Sequence, residues 1–337
     1  MKKNIINPCK ISVIKTLSYS SFFGFPLSID EIIKNLISQN NFSDKLIKKN
    51  LEELVNAKIV RKTKGRYIIS GVKNIDREKR LKNTSEIIEK NKSYLKILSR
   101  IPWIKMIALT GSVANQNSDK KADIDLLFIT ESNRLWICRG LVFIVLKIVG
   151  QLPSDKSKRD ICPNIFIEEG NMGWPKKKRN LYVAQNIISM KPYLWRDEIY
   201  LNFINANRWI GKYYPNFIID FSKDVKKKKL RKNFIMNFIE SLAMKVQILH
   251  MKKDITTETV NKKLIHFNKN DSSKRILSGY KKIYKDTLKK LEKDLEKRDK
   301  IKNPQIEVGS KDITRKRKDT KKITKQIKQT ESNGENK

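Results

Sequence analysis

One segment of the sequence combines residue types and a spacing that could carry chemistry. A short apolar run ends at the dipeptide Gly111-Ser112, and a second apolar run begins at Asp123-Ile124-Asp125. Because residues i and i+2 of a strand point to the same face, we expect the carboxylates of Asp123 and Asp125 to project together, while Ile124 enters the core. Two carboxylates on one face suit a hard divalent cation, Mg²⁺ first.

The residues that precede the two acids suit a phosphate group. Gly111 lacks a Cβ, so the backbone can approach a phosphate closely, and Ser112 offers a hydroxyl and a backbone amide to hold it. A cation site beside a phosphate-binding turn serves metal-assisted phosphoryl or nucleotidyl transfer, in which the cation neutralises charge as pyrophosphate leaves. The protein then contributes positioning and electrostatics.

The order of apolar strand, Gly111-Ser112, polar connection and Asp123-x-Asp125 resembles the signature of the polymerase-beta-like nucleotidyltransferase superfamily. The spacing from Gly111 to Asp123 is similar to that of its minimal, stand-alone members, and the resemblance covers residues 104–168. It implies an α/β (α+β) core that moves a nucleoside monophosphate from an NTP substrate to an acceptor hydroxyl. It also implies two Mg²⁺ ions on the catalytic Asp123 and Asp125, with the NTP held by Gly111 and Ser112.

The sequence departs from the family's pattern at two positions. The family usually takes a third carboxylate from a later strand, and the predicted strand over residues 161–168 offers Glu168 as that catalytic acid. In a regular strand Asn164, Phe166 and Glu168 lie on the same face. The alternation of side chains therefore does not tell whether Asn164 or Glu168 fills the third position. If Asn164 fills the third position, general-base function is weakened and the chain binds a nucleotide without turning it over. The second departure is Gln116, where many relatives carry Gly.

Residues further along the chain are weaker candidates. Lys191, Arg196 and Arg208 could neutralise a triphosphate or a polynucleotide, although a single basic residue is more often a surface charge. The aromatic residues of this region have apolar neighbours, and core packing is expected for Trp195, Trp209, Tyr213 and Tyr214. Neither His250 nor His266 stands in a motif that would make it a ligand or an acid–base group.

Residues 1–74 predict a winged helix-turn-helix domain. Ser28 and Glu31 have the spacing of a capping box at the start of a second helix. A third amphipathic helix follows, and then a hairpin over residues 59–69. In this fold the third helix can enter a major groove, so DNA or RNA is one expected partner. The polar side of that helix is only weakly basic, which leaves open a packing or partner-binding module instead.

The remaining segments divide by composition. Residues 75–100 predict a linker helix, and residues 101–220 predict the nucleotidyltransferase core. A helical region is predicted over residues 221–297, followed by a disordered basic tail over residues 298–337, which is a second expected contact for RNA or DNA.

The charge of the chain is less informative than its size suggests. Among 337 residues, 74 basic and 35 acidic side chains give a net charge of +39, which excludes an acidic calcium buffer, a collagen and a membrane bundle. Since 58 of the basic residues are Lys, and Arg is the residue of bidentate phosphate and guanine recognition, the excess gives weak support to a groove-reading surface.

The cysteines and the apolar stretches predict a cytoplasmic protein without a membrane partner. The three cysteines show no CxxC spacing, so neither a disulfide framework nor a zinc site is expected. No apolar run of signal-peptide type follows the first residues. The most apolar stretch, residues 135–152, is interrupted by Arg139 and Lys147 and is too short to span a bilayer.

Two alternatives to the enzyme stay open at this level. One is a catalytically weak regulator that binds a nucleotide or a nucleic acid. The other is an antitoxin-like nucleotidyltransferase that modifies or masks a partner protein. The identity of the third acid discriminates the enzyme from the regulator. RNA, a protein hydroxyl and a small molecule are all chemically suitable acceptors.

Overall fold

The structure is a computed structural model that describes residues 6–151, 161–217, 233–251, 259–266 and 272–302. They form a mixed α/β arrangement, which confirms the predicted class. The helices are α1 (Pro8–Phe22), α2 (Ile29–Lys34), α3 (Asp44–Asn56), α4 (Arg77–Leu98), α5 (Gly111–Ala114), α6 (Leu135–Ile148), α7 (Leu181–Ser189), α8 (Ile199–Ala206), α9 (Phe234–Met251) and α10 (Ser272–Lys302). The strands are β1 (Val60–Thr63), β2 (Arg66–Ile69), β3 (Ile104–Thr110), β4 (Ile124–Thr130), β5 (Ile161–Glu168), β6 (Lys191–Trp195), β7 (Thr259–Val260) and β8 (Leu264–His266).

The N-terminal helices begin where the sequence places their caps. The Ser28 hydroxyl accepts the N–H of Glu31 at 3.2 Å, and the Glu31 carboxylate accepts the N–H of Ser28 at 2.8 Å, so the predicted capping box opens α2. The antiparallel strands β1 and β2 follow α3, and Leu27 forms an isolated bridge with Tyr67 of β2. Three helices and a hairpin therefore stand in the predicted order.

A six-stranded sheet, in the order β6-β3-β4-β5-β8-β7, carries the motifs of the central region. Strands β4 and β5 are parallel and are joined through α6, while the other neighbouring pairs are antiparallel. Leu126 and Phe128 of β4 pack with residues of α6, whereas Leu127 and Ile129 pack with residues of α7 and α8. We call these two sides the α6 face and the α7 face. Helices on both faces exclude water from the sheet.

Three strands lie in the segments that the sequence predicts to be helical. β6 pairs with β3 at one edge of the sheet, and β8 pairs with β5 and β7 at the other. These strands have five, three and two residues, too few for a two-residue period to stand out. β6 and β8 pair with strands distant in the sequence. Within the helical region predicted over 221–297, the structure has α9 and α10, and the short strands β7 and β8 lie between them.

The helix α10 continues to Lys302, beyond the predicted start of the tail at residue 298. Residues 303–337, the rest of the predicted disordered tail, lie outside the described residues. The described residues up to Lys289 form one compact unit, and those from Lys290 belong to a second. The start of α10 belongs to the first unit, where the ring of Tyr280 lies 5.7 Å from that of Tyr19 on α1.

Polar side chains hold α9 against the start of α6. The Glu240 carboxylate accepts the N–H groups of Trp136 at 2.8 Å and of Ile137 at 3.0 Å, and Gln247 donates to the Trp136 carbonyl oxygen at 2.8 Å. The opposite side of α9 exposes the large apolar side chains Phe234, Ile235, Phe238, Ile239, Leu242, Val246 and Leu249. Within the described ranges, none of the helices has both the length and the apolar content that crossing a bilayer requires.

Candidate functional site

The candidate site begins at the turn that ends β3. Gly111 has a φ of 63°, in the left-handed region that glycine adopts without strain. Thr110 pairs with Asp125 across β3 and β4, so a Cβ on Gly111 would collide with the Asp125 carboxylate. The side-chain amide of Asn115 donates to the Gly111 carbonyl oxygen at 2.8 Å and closes the single turn of α5. The glycine is therefore required by the neighbouring acid, a role that the sequence does not reveal.

Ser112 and Gln116 lie in the turn that follows. The Ser112 carbonyl oxygen accepts the N–H of Asn117 at 2.9 Å, and its hydroxyl is 3.5 Å from that of Ser118. Gln116 has a φ of 53°, the same region as Gly111. A glycine fits this backbone without strain. Gln116 thus differs from the Gly of many relatives in its side chain, while its backbone has a conformation that Gly adopts readily.

The linker helix α4 fastens the loop that leads to β4. Arg80 pairs with Asp119 at 2.5 Å. The side-chain amide of Asn83 donates to the Ser118 carbonyl oxygen at 3.3 Å, and the Ser118 N–H donates to the Thr84 hydroxyl at 3.3 Å. These contacts fix the loop between α5 and the two acids, so α4 has a positioning role beyond linking two domains.

Asp123 and Asp125 project together, as the two-residue period predicts. Ile124 between them is fully buried on the α6 face. The ligand atoms of Asp123, Asp125 and Cys162 all lie within 4.8 Å of one another. Cys162 stands beside the acids because it pairs with Asp125 across the parallel strands, and its Sγ is 2.8 Å from Oδ2 of Asp123. The sequence did not predict Cys162 as a site residue. Its place beside the acids depends on the register of two parallel strands that are far apart in the chain.

A β-bulge decides what stands opposite Asp125. In the β4–β5 register Leu126 pairs with Pro163 and Leu127 with Ile165, so Asn164 is an extra residue on β5. The expectation that Asn164 shares a face with Phe166 and Glu168 is therefore wrong. The Asn164 side-chain amide donates to Oδ1 of Asp125 on the α7 face. Phe166 points to the α6 face, where its ring stacks on that of Phe128 at 4.8 Å.

The structure does not bring Glu168 to the site. Glu168 pairs with Thr130, five residue steps along β4 from Asp125, or about 16 Å. Its side chain is buried near the start of α6, where the backbone N–H of Asn133 donates to it. Burial raises the pKa of the Glu168 carboxyl, and the nearby Glu240 adds to the rise, while Asn133 and Lys263 oppose it. Among the described residues, therefore, no third carboxylate joins Asp123 and Asp125 in the cluster of candidate ligands.

The electrostatics of Asp125 follow from its surroundings. Burial, and after it the neighbouring charge of Asp123, raise the pKa of the Asp125 carboxyl to about 7, although the hydrogen bond from Asn164 acts to lower it. Desolvation and a like charge both disfavour the anion. A cation placed between the two carboxylates would relieve both effects.

A cleft of about 660 Å³ opens on the α7 face beside Asp125. Thr110, Gly111 and Asn164 line it at the acidic end. Its floor is apolar, and its walls carry the polar and aromatic side chains Trp174, Lys177, Lys178, Asn180, Tyr182, Asn186, His266, Ser273 and Lys274. The rings of Trp174 and His266 lie 5.2 Å apart, edge to face. The volume falls within the range of small-molecule sites.

The weaker sequence candidates divide between the site and other regions. Lys191 pairs with Leu109 and so lies at the Gly111 end of β3, where burial lowers its pKa and Arg77 lowers it further. Arg196 instead donates to the Ser99 carbonyl oxygen at 3.1 Å, and Arg208 to the Asn205 side chain. Neither Arg196 nor Arg208 lines the cleft described above.

Several lining residues were missed by sequence reasoning. Trp174 and Lys177 precede α7, whereas His266 ends β8 and Lys274 begins α10. The basic run after Trp174 is the one local signal among them. His266 lies at the cleft because β8 pairs with β5, and no sequence motif predicts that pairing.

The donors at the acidic end fit a divalent cation. The Asp123 and Asp125 carboxylates supply oxygen, the preferred ligand of Mg²⁺, and the cysteine beside them adds a sulfur. The absent Cβ of Gly111 leaves room against the Asp125 carboxylate. Neither models of known protein families nor curated proteins give a match to this sequence.

Proposed function

We propose that this chain is a divalent-cation-dependent nucleotidyltransferase that moves a nucleoside monophosphate from an NTP to an acceptor hydroxyl. The observation that carries the proposal is the junction of three features. The Gly111-Ser112 turn, the paired carboxylates of Asp123 and Asp125 and the cleft of about 660 Å³ meet at one end of β3 and β4. The resemblance of the same residues to the polymerase-beta-like superfamily supports this assignment.

Each residue at the junction has a role that its position supports. Gly111 and Ser112 hold the triphosphate through backbone amides and the serine hydroxyl. Asp123 and Asp125 bind Mg²⁺, and the bound cations supply charge neutralisation for the phosphates and the leaving pyrophosphate. Asn164 positions Asp125 through the hydrogen bond that it donates. The chain itself orients the substrate at the reacting end of the cleft.

The rest of the cleft suits the remainder of a nucleotide. Lys177 and Lys274 bring positive charge to its rim, which favours phosphates. The partly exposed ring of His266, which packs edge to face against the buried Trp174, offers a flat surface for a base. Asn180 and Asn186 add amide groups that can pair with polar edges of the base. We assign the base and ribose to this part of the cleft.

The N-terminal segment supports a nucleic-acid contact. We assign residues 8–69 to a winged helix, on the order of three helices and a hairpin with a bridge from Leu27 to Tyr67. The exposed strand β1 carries Arg61 and Lys62, and Lys64 follows it in the turn. These charges favour a polyanion, which makes RNA or DNA the acceptor class to test first.

One observation favours a second function, nucleotide binding without turnover. The residue that faces Asp125 from β5 is Asn164, whose amide donates to the carboxylate. An amide is no general base, and within the described part of the chain no third carboxylate joins Asp123 and Asp125 to take the proton of the attacking hydroxyl. A regulator that senses a nucleotide needs the same cleft and the same cation without this third acid.

Label transfer discriminates between the two functions. The chain is incubated with each α-labelled NTP, Mg²⁺ and either total RNA or cell lysate, and the size class that takes up label is identified. Incorporation that is lost in Asp123→Ala and Asp125→Ala, with both variants folded by circular dichroism, supports the enzyme. Saturable NTP binding without incorporation supports the regulator. Incorporation that is unchanged in both variants rejects the assigned site.

A further inference from the structure

We propose that Cys162 supplies a third protein ligand to the cation held by Asp123 and Asp125, so that the site binds the thiophilic ions Co²⁺ and Cd²⁺ through sulfur. The inference rests on the proposed function for the presence of the cation. It deepens that function by naming a further ligand for the cation, on the later strand from which the superfamily pattern takes its third acid.

The position of Cys162 in the sheet puts its sulfur on the correct side. Cys162 pairs directly with Asp125 across the parallel strands, and directly paired residues of neighbouring strands share a face. Its Sγ lies 2.8 Å from Oδ2 of Asp123, and the ligand atoms of all three residues lie within 4.8 Å of one another. All three side chains are partly exposed, so a cation can reach them.

Asn164 is the other residue that β5 brings to the acids, and its geometry gives it a different role. Its side-chain nitrogen donates to Oδ1 of Asp125. An amide nitrogen that donates in this way has no lone pair for a cation. The nitrogen of Asn164 thus positions Asp125, whereas the sulfur of Cys162 lies within 4.8 Å of the ligand atoms of both acids.

The chemistry of the donor set then changes the preference for the cation. Two carboxylates alone suit the hard Mg²⁺ ion, whereas a thiolate adds affinity for softer ions such as Zn²⁺, Co²⁺ and Cd²⁺. As the sulfur–cation bond forms, the thiol proton leaves to solvent. The step is a ligand exchange that requires no oxidant or reductant.

The other two cysteines provide a matched control. Cys9 in α1 and Cys138 in α6 are fully buried, and burial raises the pKa of both thiols. Neither belongs to the cluster of Asp123, Asp125 and Cys162. A spectroscopic signal from sulfur can therefore be assigned to one residue by substitution.

The test titrates the full chain with Co²⁺ or Cd²⁺ in the absence of nucleotide, and follows the sulfur-to-metal charge-transfer absorption in the ultraviolet. We expect the band in the wild-type chain and in the Cys9→Ser/Cys138→Ser double variant, and its loss in Cys162→Ser. Asp123→Asn should keep the band but weaken the affinity for the metal ion by at least about tenfold. Metal sites that lose a supporting group lose at least this much affinity. Circular dichroism checks that each variant is folded.

A band that survives in Cys162→Ser overturns the inference. So does Cd²⁺ binding by calorimetry without any band in the wild-type chain, and so does the absence of binding. The proposed function is tested separately, by label transfer in the presence of Mg²⁺. A band without incorporation overturns nucleotidyl transfer alone, and incorporation without a band overturns the role of Cys162 alone.

Discussion

Acidic side chains stand at both ends of the β4–β5 pair, partly exposed at one end and buried at the other, and the two ends differ in what faces the acids. At one end, Asp123 and Asp125 face each other, the Gly111 turn and an open cleft. Asp125 receives a hydrogen bond from Asn164, yet burial and the Asp123 charge still raise its pKa to about 7. At this end, a bound cation would offset both the burial of Asp125 and its repulsion by Asp123.

At the other end, Glu168 and Glu240 face backbone donors. The start of α6 lacks a side-chain cap of its own, and Glu240 supplies one from α9 by accepting the N–H groups of Trp136 and Ile137. The carboxylate also sits at the positive end of the α6 dipole. Glu168 receives the N–H of Asn133. Both carboxylates here have structural partners.

The comparison teaches that burial of an acid does not by itself indicate function. Glu168 and Asp125 both have a raised pKa, and burial is the largest cause for each. Each also has a carboxylate nearby, Asp123 for Asp125 and Glu240 for Glu168. What separates them is the open cleft and the Gly111 turn beside Asp125, against the N–H of Asn133 at the start of α6 beside Glu168. Function follows from what faces the acid.

The strongest test of the difference between the two ends is to remove one carboxylate charge at each end. We expect Asp125→Asn to lower label incorporation by at least about a hundredfold, since several kcal/mol of charge stabilisation are lost and each 1.36 kcal/mol is tenfold. Glu168→Gln should stay within about threefold of wild type. Comparable losses in the two variants would put Glu168 back among the catalytic acids.

A second prediction separates the contact at Gly111 from its backbone conformation. Gly111→Ala should lower the free energy of unfolding by about 3 kcal/mol, because a left-handed alanine costs about 1–2 kcal/mol and the Cβ also meets the Asp125 carboxylate. Gly65 has a φ of 72° and nothing within 4 Å of an added Cβ, so Gly65→Ala should lose only the backbone part. Urea unfolding of both variants measures the difference, and equal losses would remove the packing role of Gly111.

A third prediction concerns the structural end. Glu240→Ala should lower the free energy of unfolding by about 2 kcal/mol, since α6 loses charged acceptors for two backbone N–H groups. Glu240→Gln should recover part of the loss because it keeps one acceptor oxygen. Thermal or urea unfolding reports the stability. Incorporation per folded molecule should stay close to wild type in both, and a hundredfold fall would contradict a purely structural role.

The smallest expected effect is a dependence of stability on pH in the metal-free chain. The folded pKa of Asp125 is raised to about 7 from an unfolded value near 3.8. The stability contributed by the protonated group is fully present below the unfolded pKa and is lost as the pH rises through about 7. Between pH 5 and pH 8 we expect a fall on the order of 1–2 kcal/mol in wild type that is reduced in Asp125→Asn. Parallel curves for the two chains, measured by urea unfolding in EDTA, would show that Asp125 does not carry the dependence.

Much of the local structure could be predicted from the sequence. The capping box of Ser28 and Glu31 marks the start of α2, and the alternation at Asp123-Ile124-Asp125 puts two acids on one face of β4. Both features depend on residues within three positions of one another. Spacing in the chain is then a reliable guide to spacing in the molecule.

The third position of the site could not be predicted in this way. The alternation over residues 161–168 assumed an unbroken strand, and the bulge at Asn164 changed the face of the residues after it. The bulge is a property of the pairing with β4. The same pairing brought Cys162 to the acids and left Glu168 about 16 Å along the sheet.

The sequence by itself determined the Gly111-Ser112 turn, the paired carboxylates and the α/β class, because each of these depends on local spacing and hydrophobic period. The tertiary structure alone decided which residue of β5 faces Asp125, which segments line the cleft and which buried acid caps a helix. These choices depend on strand register and on contacts between segments far apart in the chain. One residue of difference in register moves every following side chain to the other face of a sheet.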